Sequence, residues 1–285
     1  MMIKQPTSMI ILTCFMLTAT TVAAAPPQRI ISLGPVITEM IYLLGADDRL
    51  IADTTYCNVP EAAKSKPKIG SIIQADVEKI ISLAPDIVLA NPLASERQLD
   101  LLRHMGIRVE QFENPATFDK ICNMMAALGE LVGKEEKAQA IIAESKATVN
   151  NIIRRTSRLK PRKVFIQIGF NPLHTSPKET FINEYITFAG GINVAADEKS
   201  GNYSREKVLE NNPDVILIAT MGSDRSGAEK EKKTWMSYQA LEAAQNGEIH
   251  VLDPEILCSP TPVSFAEALA YIVPLIHPEW HGEEE

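Results

Sequence analysis

The sequence predicts an α/β protein built as two lobes joined by one long helix. Three observations carry that prediction. Strand-like and helical apolar patterns alternate with short connections in both halves of the 285-residue chain, the signature of parallel βα units. The stretch VEKIISLAPDIVLA at 77–90 returns as REKVLENNPDVILIA at 205–219, so one helix–turn–strand unit is built twice, with Glu78 and Glu206 at matching places. Between the halves, residues 117–158 hold almost no turn residues and keep helical apolar spacing.

The elements follow in order. RIISLG (29–34) reads as a buried strand stopped by Gly34-Pro35, and TEMIYLLG (38–45) as a helix closed by Gly45. RLIADTT (49–55) is a second strand, broken by YCNVP. The Glu78 helix and the strand DIVLA (86–90) come next, then a helix over 95–106 and the strand RVEQFE (108–113). The second half opens with the strand KVFIQIG (163–169) and a helix over 179–191 that ends in a glycine pair. The Glu206 helix, the strand DVILIAT (214–220), a helical region over 234–244 and the strand EIHVLD (248–253) complete it. SFAEALAYIVPLIHP is the last helix, with Pro274 bending it or marking its end.

The joining segment KEEKAQAIIAESKATVNNIIRRTSRL lacks the Gly, Ser and Pro of a flexible linker. A continuous helix over 134–158 would be about 37 Å long, enough to run along both lobes. The expected organisation is therefore a leader over 1–24, an N-terminal lobe over 25–133, a backbone helix over 134–160 and a C-terminal lobe over 161–285.

Composition narrows the function. Apolar residues make up 45% and charged residues 22%, ordinary for a globular chain of two domains. The net charge of −8 argues against nucleic acid, whose binders need a cationic footprint. Lys4, the apolar run MIILTCFMLTATTV and then AAAPP make a signal peptide cleaved after Ala24, which places the mature chain in the periplasm. The run has about 15 apolar positions against the roughly 20 a membrane span needs. Ile11-Leu12-Thr13 before Cys14 is a poor match to a lipid-anchor site. Cys57, Cys122 and Cys258 remain; Cys122 reads as a buried apolar residue, and Cys57 and Cys258 can pair or stay free. There is no P-loop, no G-x-G-x-x-G after the first strand and no G-x-S-x-G, so the chain is not expected to be an enzyme.

ISLGPVITEMIYLLGA, TTYCNVPEAAKSKPKIG, the two Glu-containing repeats and SPTPVSFAEAL together resemble the substrate-binding proteins of ABC importers for metal-containing chelates. The similarity runs from about 28 to 278, and over 164–194 it is greatest to the cobalamin-binding members. The resemblance implies the class III architecture, two Rossmann-like α/β lobes joined by a single long helix. It implies a corrinoid as ligand, with a ferric siderophore or haem as the alternative, and no cofactor. It also implies a monomer that serves a permease dimer and its ATPase, docking on it through Glu78 and Glu206. A sensor or scaffold presenting the same fold is the reading from another class, with a hydrolase behind it.

The ligand is expected between the lobes, at the carboxyl ends of strands. By the resemblance, Pro35, Val36, Tyr56, Ile72, His174, Ser200, Asp253 and Leu257 line it, with Gln74 and Tyr203 on the same loops. Ile72 and Ser200 stand where cobalamin binders carry tryptophans, Leu257 replaces an arginine and His174 an aromatic ring. Tyr56 or Tyr203 would then supply aromatic surface. His174 could ligate the metal of a chelate axially, or hydrogen-bond within its loop.

Overall fold

The computed structural model describes residues 25–219, 225–253, 257 and 260–280. The expected leader, residues 1–24, and Cys258 lie outside these. Among the described residues eight strands form two four-stranded sheets. The first holds β1 (Ile30–Leu33), β2 (Leu50–Ala52), β3 (Ile87–Ala90) and β4 (Arg108–Gln111), in the order β2-β1-β3-β4. The second holds β5 (Arg162–Gln167), β6 (Gly191–Asn193), β7 (Val215–Ile218) and β8 (Ile249–Val251), in the order β6-β5-β7-β8. Every pairing is parallel. The strands IISL, IVLA and VILI are buried along their whole length, as parallel strands covered on both faces must be.

The first lobe carries α1 (Pro35–Leu43), α2 (Val77–Ser82), α3 (Glu96–His104) and α4 (Phe118–Leu131). The second carries α6 (Phe181–Phe188), α7 (Arg205–Asn211), α8 (Arg225–Met236), α9 (Glu242–Gln245) and α10 (Pro262–Ile276). Between them α5 (Glu135–Thr156) is one helix of 22 residues, about 33 Å long. It ends at Thr156, two residues before the expected limit. Its buried face of Ala138, Ile141, Ile142, Val149 and Ile152 packs against α4 and α10. Pro274 lies inside α10 two residues before its end.

Two expectations change. The helix expected over 179–191 stops at Phe188, with Gly190 at φ +77 turning the chain, and Gly191 opens the edge strand β6 instead. The helical region over 234–244 is two helices, because the turn Ser237–Ala240 separates α8 from α9.

The repeated stretch is repeated down to its hydrogen bonds. Asp76 and Ser204 cap α2 and α7, each accepting from the amide three residues on, Lys79 and Lys207. Such a cap is worth about 1 kcal/mol. Ala84 (φ 45) and Asn212 (φ 43) both take the left-handed conformation just before Pro85 and Pro213. Asp86 and Asp214 then accept from the amides of Arg29 and Lys163, fixing β1 beside β3 and β5 beside β7. The two lobes are thus copies in topology and in turn chemistry.

They are not separate cores. One apolar cluster runs from Ile30 and Met40 through Phe118 and Ile142 to Tyr185, Val215 and Phe265. At its centre the Phe265 ring stacks on Phe118 (4.6 Å) and on Tyr185 (4.3 Å). Stacked aromatic pairs add about 1 kcal/mol each beyond the area they bury. Two outer clusters fill the far face of each sheet.

Candidate ligand-binding cleft

In a parallel sheet each strand hands over to its helix at the same edge, so α1, α4, α6 and α10 all begin at the carboxyl edges of the two sheets. The α4, α6 and α10 helices meet at the rings of Phe118, Tyr185 and Phe265, and α1 packs against α4. The two carboxyl edges therefore face each other across this junction, and the loops above it border the candidate cleft.

On the first lobe these loops are stiffly built and apolar at their tips. Lys68 Nζ donates to Asp53 Oδ1 (2.7 Å), to Ala63 O (3.0 Å) and to Cys57 O (3.1 Å), tying the 53–70 loop to the end of β2. Burial pushes the Asp53 carboxyl up, and Lys68 opposes the shift. Cys57 is a free, buried thiol whose Sγ accepts from Thr38 Oγ1 at 3.2 Å, and burial pushes it up too. Tyr56, next to it, is left 61% exposed. Gly70 and Ala75 pair as an antiparallel bridge, closing a four-residue tip. Gly70 has φ +92, and a Cβ there would stand 2.4 Å from Gln74 O, so only glycine fits. Gln98 exchanges hydrogen bonds with the backbone of Ala75 and holds this hairpin on α3. Ile73 at its tip is 66% exposed, beside half-buried Ile72 and exposed Gln74. After β3, Asn91 Oδ1 accepts from the Leu93 amide in a tight turn that leaves Leu93 68% exposed. Pro35 and Val36 open α1 and are half-buried.

The second lobe offers polar groups. His174 bridges Gly169 on one side and Asn202 on the other, so the 169–174 loop and the 201–203 segment form one surface. Its Nδ1 lies 3.2 Å from Asn202 Oδ1. Its imidazole fills the space over Gly201, where a Cβ would stand 2.2 Å from Nε2. Asn171, Ser200 and Asn202 on these two segments are exposed, and so is Asp253 after β8. Deeper, Gln167 donates to Glu231 and accepts from the Trp235 indole, while Arg205 pairs with Glu231 at 2.6 Å and lies over the Trp235 ring. Among the described residues no group of three or more His, Cys, Asp and Glu is placed to hold a metal ion.

Two side chains expected in the cleft are turned into the core. The Tyr203 ring is 9% exposed and stacks on Phe165 at 5.4 Å, with its hydroxyl accepting from Asn211. Leu257 is fully buried in the shared core. Neither has surface to offer a ligand, because packing against the core takes up the side chain of each. Ile73 and Leu93 are the lining candidates missed; an apolar residue inside a turn signal was the available clue. Glu78 and Glu206 are both exposed, each the second residue of its helix. Hydrogen bonds from its own amide and from Ser204 hold the Glu206 carboxyl below its usual value.

A family model described as "Periplasmic binding protein" matches residues 30–256. A vitamin B12-binding protein of Yersinia pseudotuberculosis is 33% identical over 205 residues, which cover 70% of this chain and 72% of that one. Among solved structures, the periplasmic vitamin B12 binding protein of Vibrio cholerae superimposes with a TM-score of 0.75 at 27% identity, over 88% of this chain and 97% of that one. A possible iron-binding (periplasmic solute-binding) protein of Staphylococcus epidermidis gives 0.78 at 25% identity, over 88% and 99%. No helix among the described residues is long and apolar enough to cross a membrane.

Proposed function

The chain belongs to the periplasmic binding protein family, and from that premise we propose that it captures cobalamin or another corrinoid between its lobes and delivers it to an ABC permease. One observation carries the choice of ligand. Of nine large apolar side chains exposed among the described residues, four (Tyr56, Val59, Ile73 and Leu93) stand on loops at the carboxyl edge of the first sheet. Exposed apolar groups gathered at one edge are the mark of a site that covers an apolar surface. The polar rim of Asn171, His174, Ser200 and Asn202 opposite suits a ligand with amide or carboxyl groups at its periphery. A corrinoid has both; the identity to vitamin B12-binding relatives points the same way. A ferric chelate is the second reading, favoured by the likeness to the iron-binding solute-binding protein.

Absorption titration of the purified protein with cyanocobalamin, haemin and a ferric siderophore tests this. Saturable binding of cyanocobalamin alone, or at least tenfold tighter than the others, is the expected result; preference for haemin or the ferric chelate sinks the corrinoid reading. Docking rests on Glu78 and Glu206 as exposed acids at equivalent helix starts. Reversing both to Lys should leave ligand affinity unchanged and reduce cellular uptake more than either reversal alone. Normal uptake by the double variant would remove them from the docking surface.

A further inference from the structure

The helices that begin beneath the cleft loops hold a second repeated feature. Glu39 precedes Gly45 by six residues and Glu184 precedes Gly190 by six, and both glycines have positive φ (+64 and +77). The two acids therefore sit at equivalent places on α1 and α6, the helices that follow the equivalent strands β1 and β5. Each reaches across to the other half. Glu39 Oε1 accepts from Thr261 Oγ1 at 3.1 Å, and Thr261 is the N-cap of α10, which follows the last strand of the second sheet. Glu184 Oε2 accepts from the Phe118 amide at 2.5 Å, at the first residue of α4, which follows the last strand of the first sheet.

These contacts are not needed to start either helix. Thr261 already makes a reciprocal capping box with Ser264, and Thr117 already accepts from the Lys120 amide. The glutamates add a second bond in each case, and both bonds cross from one lobe to the other. Burial raises both carboxyls above their ordinary value, as expected for groups drawn into the junction. The stack of Phe118, Phe265 and Tyr185 joins the same helices: Glu184 holds the Phe118 amide and is the residue next to Tyr185. An aromatic stack resists separation but slides readily, because dispersion is non-directional. Two directional hydrogen bonds, one on each side, prevent that sliding.

We propose that Glu39 and Glu184 are a reciprocal pair of latches that hold the two lobes in register and so set the width of the cleft above them. The test needs no ligand. Spin labels go on the full chain through Arg97→Cys on α3 and Lys233→Cys on α8, both exposed, with Cys14→Ser and Cys258→Ser to remove competing thiols. The distance distribution between labels should be narrow with both glutamates present. It should stay narrow in Glu39→Gln/Glu184→Gln, whose amide oxygens still accept. It should broaden at least twofold in Glu39→Ala/Glu184→Ala. If the double alanine variant does not fold, each single alanine variant should broaden the distribution by a smaller amount. A folded alanine variant as narrow as the parent overturns the proposal, and so does equal broadening in the glutamine pair.

Discussion

The two lobes share a strand order, a capped acidic helix and even the left-handed residue before each Pro-Asp, yet their facing loops differ in kind. The first lobe turns Tyr56, Val59, Ile73 and Leu93 outward. The second packs Phe165, Tyr203, Trp235 and Tyr238 against one another beneath its loops. Its rim is Asn171, His174, Ser200 and Asn202. Topology and the groups that fix it are therefore held in common, and loop tips carry the difference. Apolar surface on one lip alone provides a broad contact with little directional preference. Hydrogen-bonding groups on the other lip supply orientation.

The largest effect should come from the apolar lip. Tyr56→Ala, Ile73→Ala and Leu93→Ala together remove three side chains, each able to contribute about 1.5 kcal/mol when covered. If half of that is realised, cyanocobalamin affinity in a calorimetric titration falls roughly fortyfold, or more if covering is complete. Melting temperature should not move, because all three are exposed. Equal loss of affinity from substitutions on the second lip would erase the contrast.

Next comes the polar lip. Gly201→Ala places a methyl where the His174 ring lies, so the ring must leave and its bond to Asn202 must break. The loss should be about 1 kcal/mol of binding, near fivefold, as for a single neutral hydrogen bond. His174→Ala should match it without moving the visible spectrum of the bound ligand. A spectral shift would instead make His174 a ligand to the metal.

The smallest effect concerns what the lobes share. Glu39 and Glu184 both have folded-state pKa values raised by burial. A raised carboxyl contributes its full stability below the unfolded pKa, about 4.3, and loses it as pH rises through the folded value. The Glu39→Gln/Glu184→Gln variant does not titrate there. Its melting temperature relative to the parent should therefore climb between pH 4 and pH 7. A fall over that range would reverse the sign of both shifts.

Much of this architecture was legible in the sequence, because it rests on periodic apolar runs and on a repeat 128 residues apart. The α5 backbone helix, the sheet strands of four or more residues and the paired acidic helices all carry such signals. β6 carries none, because its first residue belongs to the glycine pair that closes α6 and only Ile192 and Asn193 remain. The cleft was harder. Ile73 and Leu93 are single apolar residues in turns, and their exposure depends on the Gly70 hairpin and the Asn91 turn. Tyr203 and Leu257 lie on the right loops but point inward, a choice made by packing against partners far along the chain. The Glu39 and Glu184 contacts span 222 and 66 residues, beyond the reach of any local pattern.

The position of Phe265 has a consequence for how the chain assembles. Its ring fills the middle of a junction whose other walls come from residues 118 and 185, and it stands on the last helix among the described residues. Contacts of such long sequence separation form late, since the loop-closure entropy must be met first. The first sheet and α4 can therefore fold early, but the core they share with the second sheet stays open until α10 arrives. The shared interior closes only when α10 docks.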